Sequence, residues 1–145
     1  MSESKSKKAM KLILKIIGII LLLALLILGG FIIFILLGKE KTINQTISTV
    51  SLETIPDGTY SGSYSGFRWS NTVAVTITDH QITDVAITKP QVFMTDETAE
   101  KLIHEMISTQ QNTVDAVSGA TADSKAFMKA VENALVSASA GSATD

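Results

Sequence analysis

Residues 73–85 read Val-Ala-Val-Thr-Ile-Thr-Asp-His-Gln-Ile-Thr-Asp-Val, and this stretch sets the architecture of the folded part of the chain. Apolar residues alternate with small or polar ones up to Thr78, which is typical of a half-buried β-strand. The short link at residues 79–81 leads to a second apolar run at residues 82–87. The stretch therefore predicts an antiparallel hairpin.

The flanking sequence adds one strand and two helices. Residues 57–64 (Asp-Gly-Thr-Tyr-Ser-Gly-Ser-Tyr) show the same alternation and follow a turn signal at Pro56. Downstream, Thr95 precedes two acidic residues and an apolar pattern of helical period, which predicts a helix start. A second helix is predicted over residues 124–136. Together these elements predict an α+β fold, a small antiparallel sheet with two helices, preceded by one transmembrane helix.

The transmembrane helix is predicted over residues 16–37, where 22 residues carry no charge. As an α-helix this run is about 33 Å long, enough to cross a hydrocarbon core of about 30 Å. The rest of the chain is too short and too polar to bury such a helix inside a soluble core. A cleaved signal peptide is the other interpretation, but the run is longer than a typical signal and no Ala-x-Ala site follows it.

Charge divides at this segment. Residues 1–15 carry five Lys and one Glu, whereas residues 39–145 carry six Lys and one Arg against thirteen acidic residues. The basic segment 1–15 is therefore predicted to be cytoplasmic, with the remaining chain extracellular or periplasmic in a single-pass topology. The acidic outer part argues against nucleic acid as a partner. The absence of Cys excludes disulfides, a lipidated Cys and iron–sulfur clusters held by thiolates.

The outer part is predicted to have three sections. Residues 38–56 are polar with isolated Ile and Val residues and predict a solvated tether. Residues 57–136 predict the folded domain. Residues 137–145 are small and polar and predict a disordered tail.

The motif with the most specific chemistry is Asp-Ala-Val-Ser-Gly-Ala-Thr at residues 115–121. Ser118, Gly119 and Ala120 leave the backbone open to close approach, and the following helix offers free N–H groups at its positive end, so a phosphate group fits there. The alternative is that Thr121, with Asp123 and Ser124, simply caps that helix.

The motif and the helix behind it resemble the flavinylation site of FMN-binding domains. These domains occur in the sodium-pumping NADH:quinone oxidoreductase and in surface flavoproteins of extracellular electron transfer. The similarity extends upstream through residues 57–62 and 73–85. It implies that FMN is attached through a phosphoester to Thr121 by a flavin transferase that uses FAD and magnesium. It also implies a cofactor site comprising Asp115, Ser118, Gly119, Ala120 and Thr121.

The resemblance implies an electron carrier of the bacterial cell surface, which takes electrons from a membrane quinone or dehydrogenase and delivers them to an external acceptor. No catalytic residues and no metal site are predicted, because the sequence shows no acid–base constellation and its two histidines, His80 and His104, have no partner at ligand spacing. The alternatives are a small extracellular flavin-dependent reductase and a binding domain without flavin.

Two further features lie outside the motif or at its end. Asp123 would add negative charge beside the phosphate. The cluster formed by Phe67, Arg68 and Trp69 would either flank the flavin ring or anchor a loop.

Overall fold

The computed structural model describes residues 2–141 and divides the chain into two units, which meet between residues 37 and 38. The first unit is helix α1 (Ser2–Leu36). Its apolar part has a mean hydropathy of 3.3 and none of it is buried, so by length and composition the helix can cross a membrane. The predicted transmembrane helix is confirmed in that sense. The side of the membrane on which each end lies stays a prediction.

The second unit contains a three-stranded antiparallel sheet of β1 (Gly58–Tyr64), β2 (Asn71–Thr78) and β3 (Gln81–Lys89), in that order. The predicted alternation is confirmed, because every second residue of β2 from Asn71 to Ile77 is buried. Asp79 and His80 form a two-residue loop with φ values of 50° and 60°. Two positive φ values are the signature of the tight turn whose twist matches that of the two flanking strands.

Helix α4 (Thr121–Gly141) packs across β1 and β2, and Gly62 is the point of closest approach. A Cβ atom at Gly62 would lie 2.7 Å from the Cα atom of Ala134 and closer still to the Ala130 carbonyl oxygen. Both are backbone atoms of a helix and cannot rotate away as a side chain can. Strand β1 therefore requires glycine here, because any side chain would push α4 off the sheet.

Helix α3 (Asp96–Thr109) packs against β3 and begins where the sequence predicts, directly after Thr95. The Thr95 hydroxyl oxygen accepts a hydrogen bond from the Thr98 N–H at 3.2 Å, which caps the first turn. Gln110 ends the helix in a left-handed conformation with φ of 57°. The predicted α+β fold class is confirmed by the sheet, α3 and α4, with α1 preceding them.

The predicted tether at residues 38–56 is wrong, because the segment is part of the folded unit. It begins with a short helix, α2 (Lys39–Asn44), in which Thr42 is fully buried, and it ends at Ile55, which is also fully buried. Between them the chain is held by long-range hydrogen bonds. Asn112 accepts from the Val50 N–H at 2.9 Å and donates to the Ser48 carbonyl at 2.8 Å. We call residues 45–55 the strap.

The boundaries of helix α4 also differ from the prediction of residues 124–136. The helix begins three residues earlier, at Thr121, and continues to Gly141, so residues 137–141 of the predicted disordered tail are helical. Ala138 explains the extension, because it is 3% exposed and packs in the core. Residues 142–145 of the predicted tail lie outside the described residues.

Candidate functional site

A tight turn leads into helix α4 and presents the Ser-Gly-Ala-Thr motif at the surface. The Ala120 N–H donates to the Val117 carbonyl at 2.9 Å, and Gly119 has φ of +80°. That conformation favours glycine, and no other atom lies within 4 Å of where its Cβ would be. The glycine is therefore explained by backbone conformation, and the open space beside it leaves room for a bound group.

Thr121 is the first residue of helix α4, and its side chain is exposed. Its hydroxyl makes no hydrogen bond to another residue in the part of the chain that the structure describes. The capping interpretation is therefore wrong for Thr121. Ser124 organises the turn instead, because its hydroxyl donates to the Ala120 carbonyl at 2.8 Å and accepts from the Val117 N–H at 3.0 Å. The Thr121 side chain is thus left exposed and without a hydrogen bond among the described residues.

Two open depressions lie at the turn, and Gly119, Ala120 and Asp123 line both. We call them the Thr121 depression, with a volume of about 300 Å³, and the Ser118 depression, with a volume of about 290 Å³. The first is also lined by Lys39, Ile43, Arg68, Thr121 and Ala122. The second is also lined by Phe93, Met94, Thr95, Thr98 and Ser118. The first offers cations and the second offers hydroxyl and apolar groups.

Arg68 is held beside the motif by aromatic side chains. Its guanidinium carbon lies 3.9 Å from the centroid of the Trp69 ring and 5.8 Å from that of Phe93, within the range of cation–π attraction. Trp69 is fully buried, so it anchors the loop and cannot flank a flavin ring. Phe67 and Phe93 are instead exposed, at 58% and 62%, and both have positive φ values, which are rare for bulky residues.

Asp123 is the acidic residue of the site, and it lines both depressions. Burial raises the pKa of the Asp123 carboxyl above its usual range, although the charge of Arg68 and a backbone hydrogen bond act to lower it. One of its oxygens is buried without a hydrogen-bond partner in the described residues. The half-buried carboxyl is thus easier to protonate than an exposed one.

The structure brings together four of the five residues that the sequence predicts for the site. Gly119 and Ala120 line both depressions, whereas Thr121 and Ser118 line one each. Asp115 is exposed and lines neither. Their role in cofactor binding stays a prediction.

Lys39 and Ile43 are site residues that were not predicted from the sequence, because both lie in the segment predicted to be a tether. They lie at the site because α2 packs against α4, which is distant in sequence. Nothing in the local pattern of residues 38–56 signals that contact.

The two histidines lie away from the motif. His80 is in the β2–β3 turn, where its Nδ1 lies 3.1 Å from the Ile55 carbonyl oxygen, and His104 is exposed on α3. Within residues 2–141 no group of three His, Asp or Glu side chains is arranged to hold a metal ion.

The comparison with protein families gives one match: the family described as the FMN-binding domain matches residues 66–136. The matched region begins at the loop that carries Arg68 and ends within α4, so it includes β2, β3, α3 and the whole Ser-Gly-Ala-Thr motif. A search of curated proteins and a search of solved structures found no match.

Proposed function

Residues 66–136 belong to the FMN-binding domain family, and on that basis we propose that the protein is a membrane-anchored flavoprotein with FMN bound through a phosphoester to Thr121. The observation that supports the attachment point is the exposed Thr121 hydroxyl, which has no hydrogen bond within the described residues. A hydroxyl with a structural bond would have to break it before reacting. This one is available.

The surroundings of Thr121 suit a phosphate group. The N–H groups of Thr121, Ala122 and Asp123 precede the first hydrogen bond of α4, which the Ser124 N–H makes to the Ala120 carbonyl at 2.9 Å. Such N–H groups and the positive end of the helix dipole favour an anion. Arg68 lines the same depression and adds a full positive charge. The residues present therefore fit the phosphate of FMN.

The resemblance implies that FAD donates the FMN group, and with this donor every bond formed in the attachment step is matched by a bond broken. The Thr121 hydroxyl oxygen attacks the phosphorus on the riboflavin side of the FAD diphosphate. A new phosphorus–oxygen bond forms to threonine, the bond to the bridging oxygen breaks, and AMP leaves. The hydroxyl proton passes to solvent. The product differs from the unmodified protein by FMN minus one water.

We further propose that the protein is an electron carrier. Bound FMN supplies one- and two-electron redox chemistry, and the protein holds it in place. Covalent attachment suits a domain outside the cytoplasm, where a lost cofactor cannot be replaced. Both depressions are open to solvent, so a partner can approach closely. The donor is proposed to be a membrane quinone or dehydrogenase, and the acceptor to lie outside the membrane.

Redox assays of the flavinylated full-length protein in detergent test the carrier proposal. We expect dithionite to reduce its flavin and ferric chelates to reoxidise it, while NADH alone reduces it at a negligible rate. Flavin absorbance after each addition is the measurement. Rapid turnover of NADH by the purified protein would favour the reductase alternative. An intact mass equal to that of the bare chain would favour a binding domain without flavin.

The proposed topology has the N-terminus in the cytoplasm and the FMN-binding domain outside. It rests on the five Lys residues that precede the apolar run. Protease added to intact, wall-stripped cells is expected to digest the domain while a tag at the N-terminus stays protected. The matched control is the same digestion after detergent lysis, which should remove both. Protection of the domain in intact cells would reverse the proposed orientation.

A further inference from the structure

Helix α2 forms one wall of the Thr121 depression. Lys39 and Ile43 line the depression from α2, and Thr121 and Ala122 line it from the first turn of α4. The family match begins at residue 66 and so does not include α2. The contribution of this helix is thus a property of this chain that the match does not supply.

Helix α2 is fixed in this position by buried contacts. The hydroxyl of Thr42, which is fully buried, donates to the Gly38 carbonyl at 2.8 Å and lies 3.0 Å from the Tyr64 hydroxyl. Ile43 packs against the cluster formed by Trp69, Ala122 and Ala126. This cluster joins α2 to the loop that carries Arg68 and to the first turns of α4. The backbone of Lys39 is therefore held at a defined place relative to Thr121.

The charges in this depression are arranged for an anion. Its two cations are Lys39, on a flexible side chain, and Arg68, which is stacked over Trp69. Its one acidic side chain is Asp123. The two cations come from separate elements of the fold. They line, together with the N-terminus of α4, the depression that contains Thr121, the proposed attachment point of FMN.

We propose that Lys39 of the α2 wall binds the phosphate that joins the flavin nucleotide to Thr121. This inference rests on the proposed function, since it requires a phosphodiester at Thr121. Arg68, which is stacked over Trp69 and lines the same depression, supplies the second cation for this phosphate. The flavin nucleotide is thereby bound by both the FMN-binding domain and the segment that follows the apolar helix.

Chemical labelling of lysines in the full chain tests this proposal. The flavinylated wild type and the Thr121→Ala variant, both in the same detergent, are treated with a limiting amount of acetic anhydride and analysed by peptide mass spectrometry. Lys41 is the matched control, because it is exposed on the same helix but does not line the depression. We expect Lys39 to react roughly threefold or more slowly in the flavinylated protein, since a neighbouring phosphate stabilises the unreactive ammonium form. Lys41 should not change.

Labelling at about pH 8 and at about pH 11 distinguishes two causes of slow Lys39 labelling, a neighbouring negative charge and steric shielding by the flavin. Lysines lose their protons over this pH range, so only the effect of charge should disappear at the higher pH. A phosphate contact protects Lys39 at the lower pH and little at the higher one. Equal labelling of Lys39 in both proteins, or protection that persists at the higher pH, overturns the proposal and leaves the proposed function standing. A wild type whose intact mass shows no flavin at Thr121 overturns both.

Discussion

The Thr121→Ala variant is expected to carry no covalent flavin when it is produced together with the transferase. The substitution removes the one hydroxyl of the motif that lies on the first residue of α4 and beside the two cations of the Thr121 depression. Loss should be complete, because without the oxygen no phosphoester can form. Intact-mass spectrometry and flavin fluorescence of the denatured protein in a gel are the measurements.

Ser118→Ala is the matched control for this experiment. Ser118 is a second exposed hydroxyl of the same motif, but it lines the other depression. The Ser118→Ala variant should keep its flavin. Both substitutions are at exposed positions and should change the free energy of unfolding by no more than about 0.5 kcal/mol. Covalent flavin retained by Thr121→Ala, or lost from Ser118→Ala alone, would move the attachment point away from Thr121.

A fragment that begins at Asp57 is expected not to fold, whereas one that begins at Gly38 should fold. The shorter fragment lacks Ile55, and deleting a fully buried aliphatic side chain costs about 2–5 kcal/mol. It also lacks the backbone groups of the strap that form hydrogen bonds with two buried polar side chains. Asn112 loses both of the hydrogen bonds described above, and Glu132, 6% exposed, loses the Ser48 N–H at 3.2 Å. Together these losses are comparable to the roughly 5–15 kcal/mol that stabilises a typical domain.

Thermal unfolding followed by near- and far-ultraviolet circular dichroism distinguishes the two fragments. Residues 38–145 should give a cooperative transition and a near-ultraviolet signal from the buried Trp69. Residues 57–145 should give neither. The same transition midpoint for both fragments would show that the strap and α2 are not needed for folding. Residues 38–56 would then act as the tether that the sequence predicts.

Local patterns were sufficient to predict the elements that depend on local interactions. The alternation through Val73, Val75 and Ile77 identified β2, and Thr95 identified the start of α3, because strand faces and helix caps are fixed by neighbouring residues. The small residues before α4 likewise predicted an open backbone, and the structure has open space at Gly119.

Long-range contacts explain what could not be predicted. The strap carries the isolated apolar residues Ile47, Val50, Leu52 and Ile55, which have no regular spacing but pack on the core. The side chains that bond the strap backbone at Ser48 and Val50, those of Asn112 and Glu132, lie more than 60 positions away in sequence. The two roles left open for Trp69 could not be decided from sequence for a similar reason, since the residues that bury it come from α2, β1 and α4. No window of neighbouring residues contains that information.

The packing of the chain from Gly38 onward limits how far the proposed carrier can travel. A carrier on a disordered linker can search a volume whose radius grows with the square root of the number of free residues. Here the boundary between the two units falls between Leu37 and Gly38, so a single peptide bond joins the apolar unit to the folded one. A carrier without free linker residues cannot search such a volume, so the proposed function requires that redox partners diffuse to the flavin.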